Sequence, residues 1–183
     1  MGSSFEFPGR YYEVIRGDFR NLEVETRFFA SYLPPAGRVL DLGCGYGVIG
    51  LALATGVPGA TVRAVDVNER AVLLANENAA ALGVADRFAA CIPDDVPAAE
   101  TYDEIWSNPP IRIGKDALHD LLLRWLPRLA PGGRAVLVVG KNLGADSLQR
   151  WLGEQGYPTT RLASAKGFRV LETRRRLGGA LST

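Results

Sequence analysis

Two cysteines, Cys44 and Cys91, and one histidine, His119, are all that 183 residues hold of the side chains that build disulfides and zinc clusters. A disulfide framework and a Cys/His zinc site are thereby excluded. A reducing cytoplasm is the expected compartment. No stretch reaches 18 uninterrupted apolar residues, so no membrane span is expected. No basic segment followed by an apolar one opens the chain, so no signal peptide is expected. A net excess of either charge is missing too: 21 Lys+Arg against 20 Asp+Glu leave +1. That balance is uneven along the chain. Residues 1–111 hold 8 Lys+Arg and 15 Asp+Glu, whereas residues 112–183 hold 13 and 5. The basic second part points to an anionic partner.

What is present is an ordinary globular composition, 47% apolar and 22% charged, at a length that suits one domain with a sizeable core. The expected division has three parts. Residues 1–34 are an extension carrying Phe5, Phe7, Tyr11, Tyr12, Phe19, Phe28, Phe29 and Tyr32, half of the chain's 16 aromatics. That much apolar surface is expected to dock on the core. Within it, Leu22–Leu33 reads as a short helix ended by Pro34-Pro35. Residues 35–176 are the main domain. Residues 177–183 are a flexible tail, and Arg174-Arg175-Arg176 is expected to fray with it.

The main domain is organised around Arg38–Gly50, RVLDLGCGYGVIG. Val39, Leu40 and Leu42 form the apolar run of a central parallel strand. Gly43, Gly45 and Gly47 follow at alternate positions and open a helix. A glycine turn at a strand's carboxyl end lets backbone N–H groups approach a ligand. Asp41 stands just before it, where a carboxylate meets a cationic or hydroxylated ligand. Gly45, Gly47 and Gly50 also spell the dinucleotide pattern GxGxxG. That match is weak and out of register with the strand.

Further strands follow in alternation with helices. Thr61–Val67 is a second strand, and Asp66 at its end can accept both hydroxyls of a ribose. Asn68 caps the next helix, with Glu69 in its first turn and Gly83 as its stop. Arg87–Ile92 is a third strand, followed by Pro93-Asp94-Asp95, where Asp94 can hold an adenine amino group. Tyr102–Ser107 is a fourth strand and runs into Asn108-Pro109-Pro110, where prolines force the chain out of the sheet. Asp116–Leu129 is a leucine-rich helix, stopped by Pro131-Gly132-Gly133. Ala135–Val139, Tyr157–Ala163 and Phe168–Arg174 complete the strands, with a helix over Ser147–Gln155. The pattern predicts an α/β fold: a doubly wound, mostly parallel, seven-stranded sheet with an antiparallel last strand. His119 beside Asp120 and the two cysteines read as structural residues.

The string DLGCGYGVIG resembles the first motif of the class I S-adenosylmethionine-dependent methyltransferases. With VDVNERAVLLANENA, SNPPIRIGK and PGGRAVLVVGKNLGADSLQRWL, the resemblance covers Tyr11 to Arg174. It is to the small-domain methyltransferases, similar to the catalytic domain of bacterial 16S rRNA guanine-N2 methyltransferases. It implies a Rossmann-like fold and S-adenosyl-L-methionine as cofactor, with S-adenosyl-L-homocysteine as product. It implies Asp41, Gly43 and Gly45 on the methionine part of the cofactor and Asp66 on the ribose; Val67, Asn68 and Asp94 are the further expected cofactor-binding residues. In that family Asn-Pro-Pro marks methylation of a planar amine, which gives Asn108 and Pro109 the catalytic positions. Pro110, Ile111, Arg112, Lys115 and Phe19 are the expected substrate-binding residues. Ile111 stands where many relatives have an aromatic, so stacking on the target ring must come from Phe19 or Tyr12. Those rRNA enzymes carry a further N-terminal RNA-binding domain that this sequence does not contain.

The expected function is transfer of a methyl group to an exocyclic amine, guanine N2 of ribosomal RNA in the first place, with RNA as partner and no membrane. A glutamine amide or a small molecule is the alternative acceptor. An inactive cofactor-binding scaffold and a nicotinamide oxidoreductase are the rivals from other classes. The oligomeric state stays open between monomer and homodimer.

Overall fold

The structure is a computed structural model that describes residues 36–109, 114–140, 144–165 and 167–175. The Leu22–Leu33 helix and the aromatic extension lie outside them. The chain divides into two compact units, one running to Val96 and one beginning at Pro97. The strands belong to a seven-stranded mixed sheet, in the order β3-β2-β1 within the first unit and β4-β5-β7-β6 within the second.

In the first unit β1 (Gly37–Leu42), β2 (Ala60–Val65) and β3 (Phe88–Cys91) are parallel and alternate with α1 (Val48–Gly56) and α2 (Glu69–Ala81). Val39, Leu40, Leu42, Val62, Ala64 and Val65 are buried, as strands covered on both faces require. In α1, Leu51 and Leu53 lie in the core. Helix α2 carries the punctuation its sequence promises. Asn68 accepts a hydrogen bond from Arg70 N at 3.0 Å as N-cap. At the other end Gly83 takes φ +70°, Gly83 N bonds Ala80 O and Val84 N bonds Ala79 O. That pair of bonds is the Schellman stop. From mid-helix, Asn76 donates to Ala90 O and accepts from Ala90 N, both at 2.9 Å. Its amide thus satisfies the outer edge of β3, where no further strand pairs among the described residues.

In the second unit β4 (Tyr102–Ser107) and β5 (Leu129–Gly140) are parallel, and β7 (Phe168–Arg174) lies antiparallel between β5 and β6 (Thr159–Ala165). Helices α3 (Lys115–Trp125) and α4 (Ala145–Glu154) belong to this unit. The sequence predicts a helix to Leu129 stopped by Pro131-Gly132-Gly133, and the structure differs. Helix α3 ends at Trp125, and Leu126–Arg128 tighten into a 3-10 turn around Pro127. The Pro-Gly-Gly triplet sits inside β5, as a bulge that carries the register from Tyr102↔Leu129 to Glu104↔Arg134. Gly133 is required there because a Cβ would stand 2.8 Å from Asp103 O. Arg174 closes β7 and Arg175 is hydrogen-bonded, rather than fraying. Among the described residues no helix is long and apolar enough to cross a membrane.

Beside the bulge a partly buried ion network ties three strands. Arg134 Nε meets Glu104 Oε1 at 2.9 Å and its NH1 meets Glu172 Oε2 at 3.0 Å, while Arg174 Nε meets Glu172 Oε1 at 2.9 Å. Trp106 Nε1 donates to Glu104 Oε2 at 2.6 Å. Burial works to raise the Glu172 pKa, but Arg134 and Arg174 outweigh it and hold the carboxyl below its usual value.

Candidate active site

In the first unit three aligned strand ends carry the expected cofactor residues. Leu42, Val65 and Cys91 are in register across β1, β2 and β3, so the segments that follow them leave the sheet side by side. After β1 comes the glycine turn. Gly43 N and Cys44 N both bond Val65 O, at 2.8 and 3.0 Å, which holds the turn against β2. Gly43, Gly45 and Gly47 have φ of 73°, 53° and 94°. A side chain there would be strained, and at Gly45 the space a Cβ would enter is open. The turn therefore presents bare backbone.

Asp66, directly after β2, links the two loops. Its Oδ2 accepts from Gly45 N at 2.8 Å and its Oδ1 from Asn68 N at 2.9 Å. A carboxylate has about four lone-pair sites, so Asp66 keeps acceptor capacity on each oxygen. Val67 beside it is 82% exposed, an apolar side chain left in solvent at the mouth of the loops. Asp94 is exposed in the 3-10 turn Pro93–Asp95 that follows β3.

Asp41 is placed differently from a surface ligand. It is completely buried, and its Oδ2 accepts from Gly50 N in α1 at 2.7 Å. Its Oδ1 has no hydrogen-bond partner among the described residues. Burial raises its pKa to about 7; the Gly50 N–H pulls the other way, and the neighbouring Asp66 charge adds to the rise. Burial also pushes the Cys44 thiol up, with Asp41 and Asp66 adding to it, so Cys44 is no thiolate nucleophile.

Two supports were not legible as such in the sequence. Gly50 reads there only as the third glycine of a weak pattern, yet a Cβ on it would meet Phe88 at 2.8 Å, Asp41 Oδ2 at 2.9 Å and Val62 at 3.0 Å. Asn78, buried in α2, donates from Nδ2 to Tyr46 O at 3.1 Å and fixes the glycine turn from the side. The signal for Asn78 was a polar residue inside an alanine-rich helix.

The second unit carries the other expected residues. Asn108 and Pro109 follow β4 directly; Asn108 is half-buried and Pro109 buried. Lys115 is exposed at the first residue of α3. Pro110, Ile111, Arg112 and Phe19 lie outside the described residues. His119 stacks on Trp151 with ring centroids 3.5 Å apart and planes within 6°. Burial and Lys115 lower its pKa against the opposing pull of Asp116 and Asp120. It is a packing residue between α3 and α4, as the sequence suggests. Among the described residues no group of three or more His, Cys, Asp or Glu could hold a metal ion.

Comparison with known proteins gives one consistent family. Residues 19–172 match the methyltransferase small domain. The ribosomal RNA small subunit methyltransferase C of Chromohalobacter salexigens is 38% identical over 181 residues, covering 92% of this chain and 52% of that protein. The chain thus spans about half the length of that relative. The release factor glutamine methyltransferase of Bordetella pertussis is 33% identical over 202 residues, covering 95% of this chain and 71% of that one. The solved structure of a T. thermophilus 16S rRNA N2 methyltransferase, in complex with AdoMet and guanosine, superposes with a TM-score of 0.73 at 25% identity. That superposition covers 88% of this chain and 45% of the other.

Proposed function

The chain belongs to the methyltransferase small-domain family of S-adenosylmethionine-dependent enzymes, and on that premise we propose that it methylates an exocyclic amine of RNA, guanine N2 of ribosomal RNA. The observation that carries the reading is Asn108-Pro109 at the carboxyl end of β4, in a chain whose relatives include rRNA methyltransferases.

The first unit's residues fit the cofactor. Asp66 keeps acceptor positions for the ribose hydroxyls, Val67 offers an apolar surface to the adenine, and the open space at Gly45 leaves room for the methionine part. The buried Asp41 Oδ1 without a partner fits a cationic amine, reached directly or through water. Asn68 shapes the loop and Asp94 serves the adenine amino group. S-adenosylmethionine, when bound, supplies a methyl group activated on a sulfonium.

The residues of this chain then make a poor nucleophile reactive. The lone pair of a base's exocyclic amine is conjugated with the ring. The Asn108 side-chain oxygen and the Pro109 carbonyl accept its two N–H groups and localise the lone pair on nitrogen. The two prolines hold the carbonyl stiffly, so the effect is positioning and electrostatic stabilisation. Once methylated, the nitrogen is acidic enough to release its proton to water. No strong base is needed, in keeping with one histidine that packs on Trp151. Lys115, exposed at the start of α3, supplies a positive charge for the acceptor.

A glutamine side-chain amide is the second reading, favoured by the release factor relative. The test is Asn108→Ala, assayed by methyl transfer to ribosomal RNA and by calorimetric titration with S-adenosylhomocysteine. Turnover is expected to fall by about 10²-fold or more with cofactor affinity kept. An unchanged rate refutes the role of Asn108. Methyl transfer to a release factor but not to RNA selects the amide.

A further inference from the structure

Four arginines of the second unit fall into two pairs. Arg134 and Arg174 are neutralised by Glu104 and Glu172. Arg128 and Arg175 are held by carbonyl oxygens instead. Arg128 NH1 donates to Pro97 O at 3.1 Å. Arg175 NH1 donates to Pro127 O at 3.1 Å and Leu129 O at 3.3 Å, the carbonyls on either side of Arg128. Arg175 thus grips the backbone on both sides of Arg128, and no carboxylate among the described residues pairs with either guanidinium. The Arg128 guanidinium also lies 4.5 Å from the centroid of the Trp125 ring, and that of Arg124 lies 5.5 Å from it. Arg124 and Arg175 are exposed and Arg128 half-buried.

A carbonyl brace fixes a guanidinium without cancelling its charge. Most surface arginines lose rotamer freedom when they bind a phosphate; these two have already lost part of it. Each keeps other N–H donors in the fork geometry that suits phosphate oxygens.

We propose that Arg128 and Arg175, with Arg124 beside them, form a second RNA-contacting platform that binds backbone phosphates away from the Asn108 loop. The register fixes where it lies within the unit. Leu129 pairs with Tyr102 at the start of β4, whereas Asn108 follows the end of that strand, six positions on. At about 3.3 Å per residue the two are about 20 Å apart. An RNA reaching both sites is thus a structured segment and no free nucleoside. The inference rests on the reading that RNA is the substrate.

The test uses the full chain and a fluorescein-labelled stem-loop RNA titrated by anisotropy across a salt series. Each lost phosphate contact flattens the slope of log K against log salt by about 0.7 to 0.9. Arg128→Gln with Arg175→Gln is expected to flatten it by about twice that, with S-adenosylhomocysteine affinity unchanged. The Lys/Lys pair is expected to keep most of the slope. Arg175→Gln alone, at an exposed position, is expected to give half the effect and guards against misfolding of the double variant. An unchanged slope in the Gln variants overturns the platform, as does a Lys pair as impaired as the Gln pair. Absence of RNA binding by the unsubstituted protein overturns it too. Methyl transfer to RNA is measured separately. If it is absent while the slope change is seen, the substrate reading falls and the platform stands.

Discussion

Asp41→Asn tests the buried carboxylate behind the glycine turn. Asp41 is inaccessible to solvent, uses Oδ2 on Gly50 N, and titrates near pH 7 in the folded chain against an ordinary value of 3.8. The folded protein therefore binds a proton between those values that the unfolded chain has released. Stability is fully present below pH 3.8 and is lost as pH rises toward 7, by about 1.4 kcal/mol per pH unit. Across the whole window the loss amounts to about 4 kcal/mol, a large share of the stability of an ordinary domain. Asparagine can still accept from Gly50 N and carries no charge, so the variant loses this pH dependence. The assay is urea denaturation of both proteins from pH 4 to pH 8, read as the difference between them, which cancels every other titrating group. The variant is expected to gain on the unsubstituted protein as pH rises, by up to about 4 kcal/mol at pH 8. Parallel stability curves would refute a buried, proton-binding Asp41. The same experiment bears on the cofactor. An ammonium near Oδ1 favours the ionised form, so affinity for S-adenosylhomocysteine is expected to rise through pH 7 in the unsubstituted protein and to stay flat in the variant.

Gly50→Ala is expected to destabilise, although alanine is the better helix former by about 1 kcal/mol. Its Cβ would meet Phe88, Asp41 and Val62 at 3.0 Å or less, all in a packed interior, and overpacking costs about 1–3 kcal/mol; a raised melting temperature would show that this corner can relax. Asp66→Asn replaces one acceptor oxygen with a donor, facing either Gly45 N or Asn68 N. Cofactor affinity is expected to fall by about 10- to 100-fold, the loss of one charge-assisted hydrogen bond, and calorimetry with S-adenosylhomocysteine showing unchanged affinity would remove Asp66 from the ribose.

The sequence by itself determined the parts of this protein that depend on local chemistry. The apolar run Val39–Leu42 and the glycines after it can only be a buried strand entering a tight turn. Asn68 and Gly83 bracket α2 because a cap and a left-handed stop are properties of single residues. Proline after Asn108 ends β4 for the same reason. The family was legible too, because the chemistry is written in contiguous strings. What only the tertiary structure decided depends on atoms far apart in the chain. Asp41 could be read as a ligand contact, but its burial and its bond to Gly50 arise from packing α1 on the sheet. Asp66 bridges two loops 21 residues apart, which spacing alone does not show. Pro131-Gly132-Gly133 looks like a helix stop, and the approach of β4 makes it a bulge. Arg174 and Arg175 look like a loose basic tail. Glu172 and the carbonyls around Arg128 anchor them, since a guanidinium settles wherever folding brings acceptors to it.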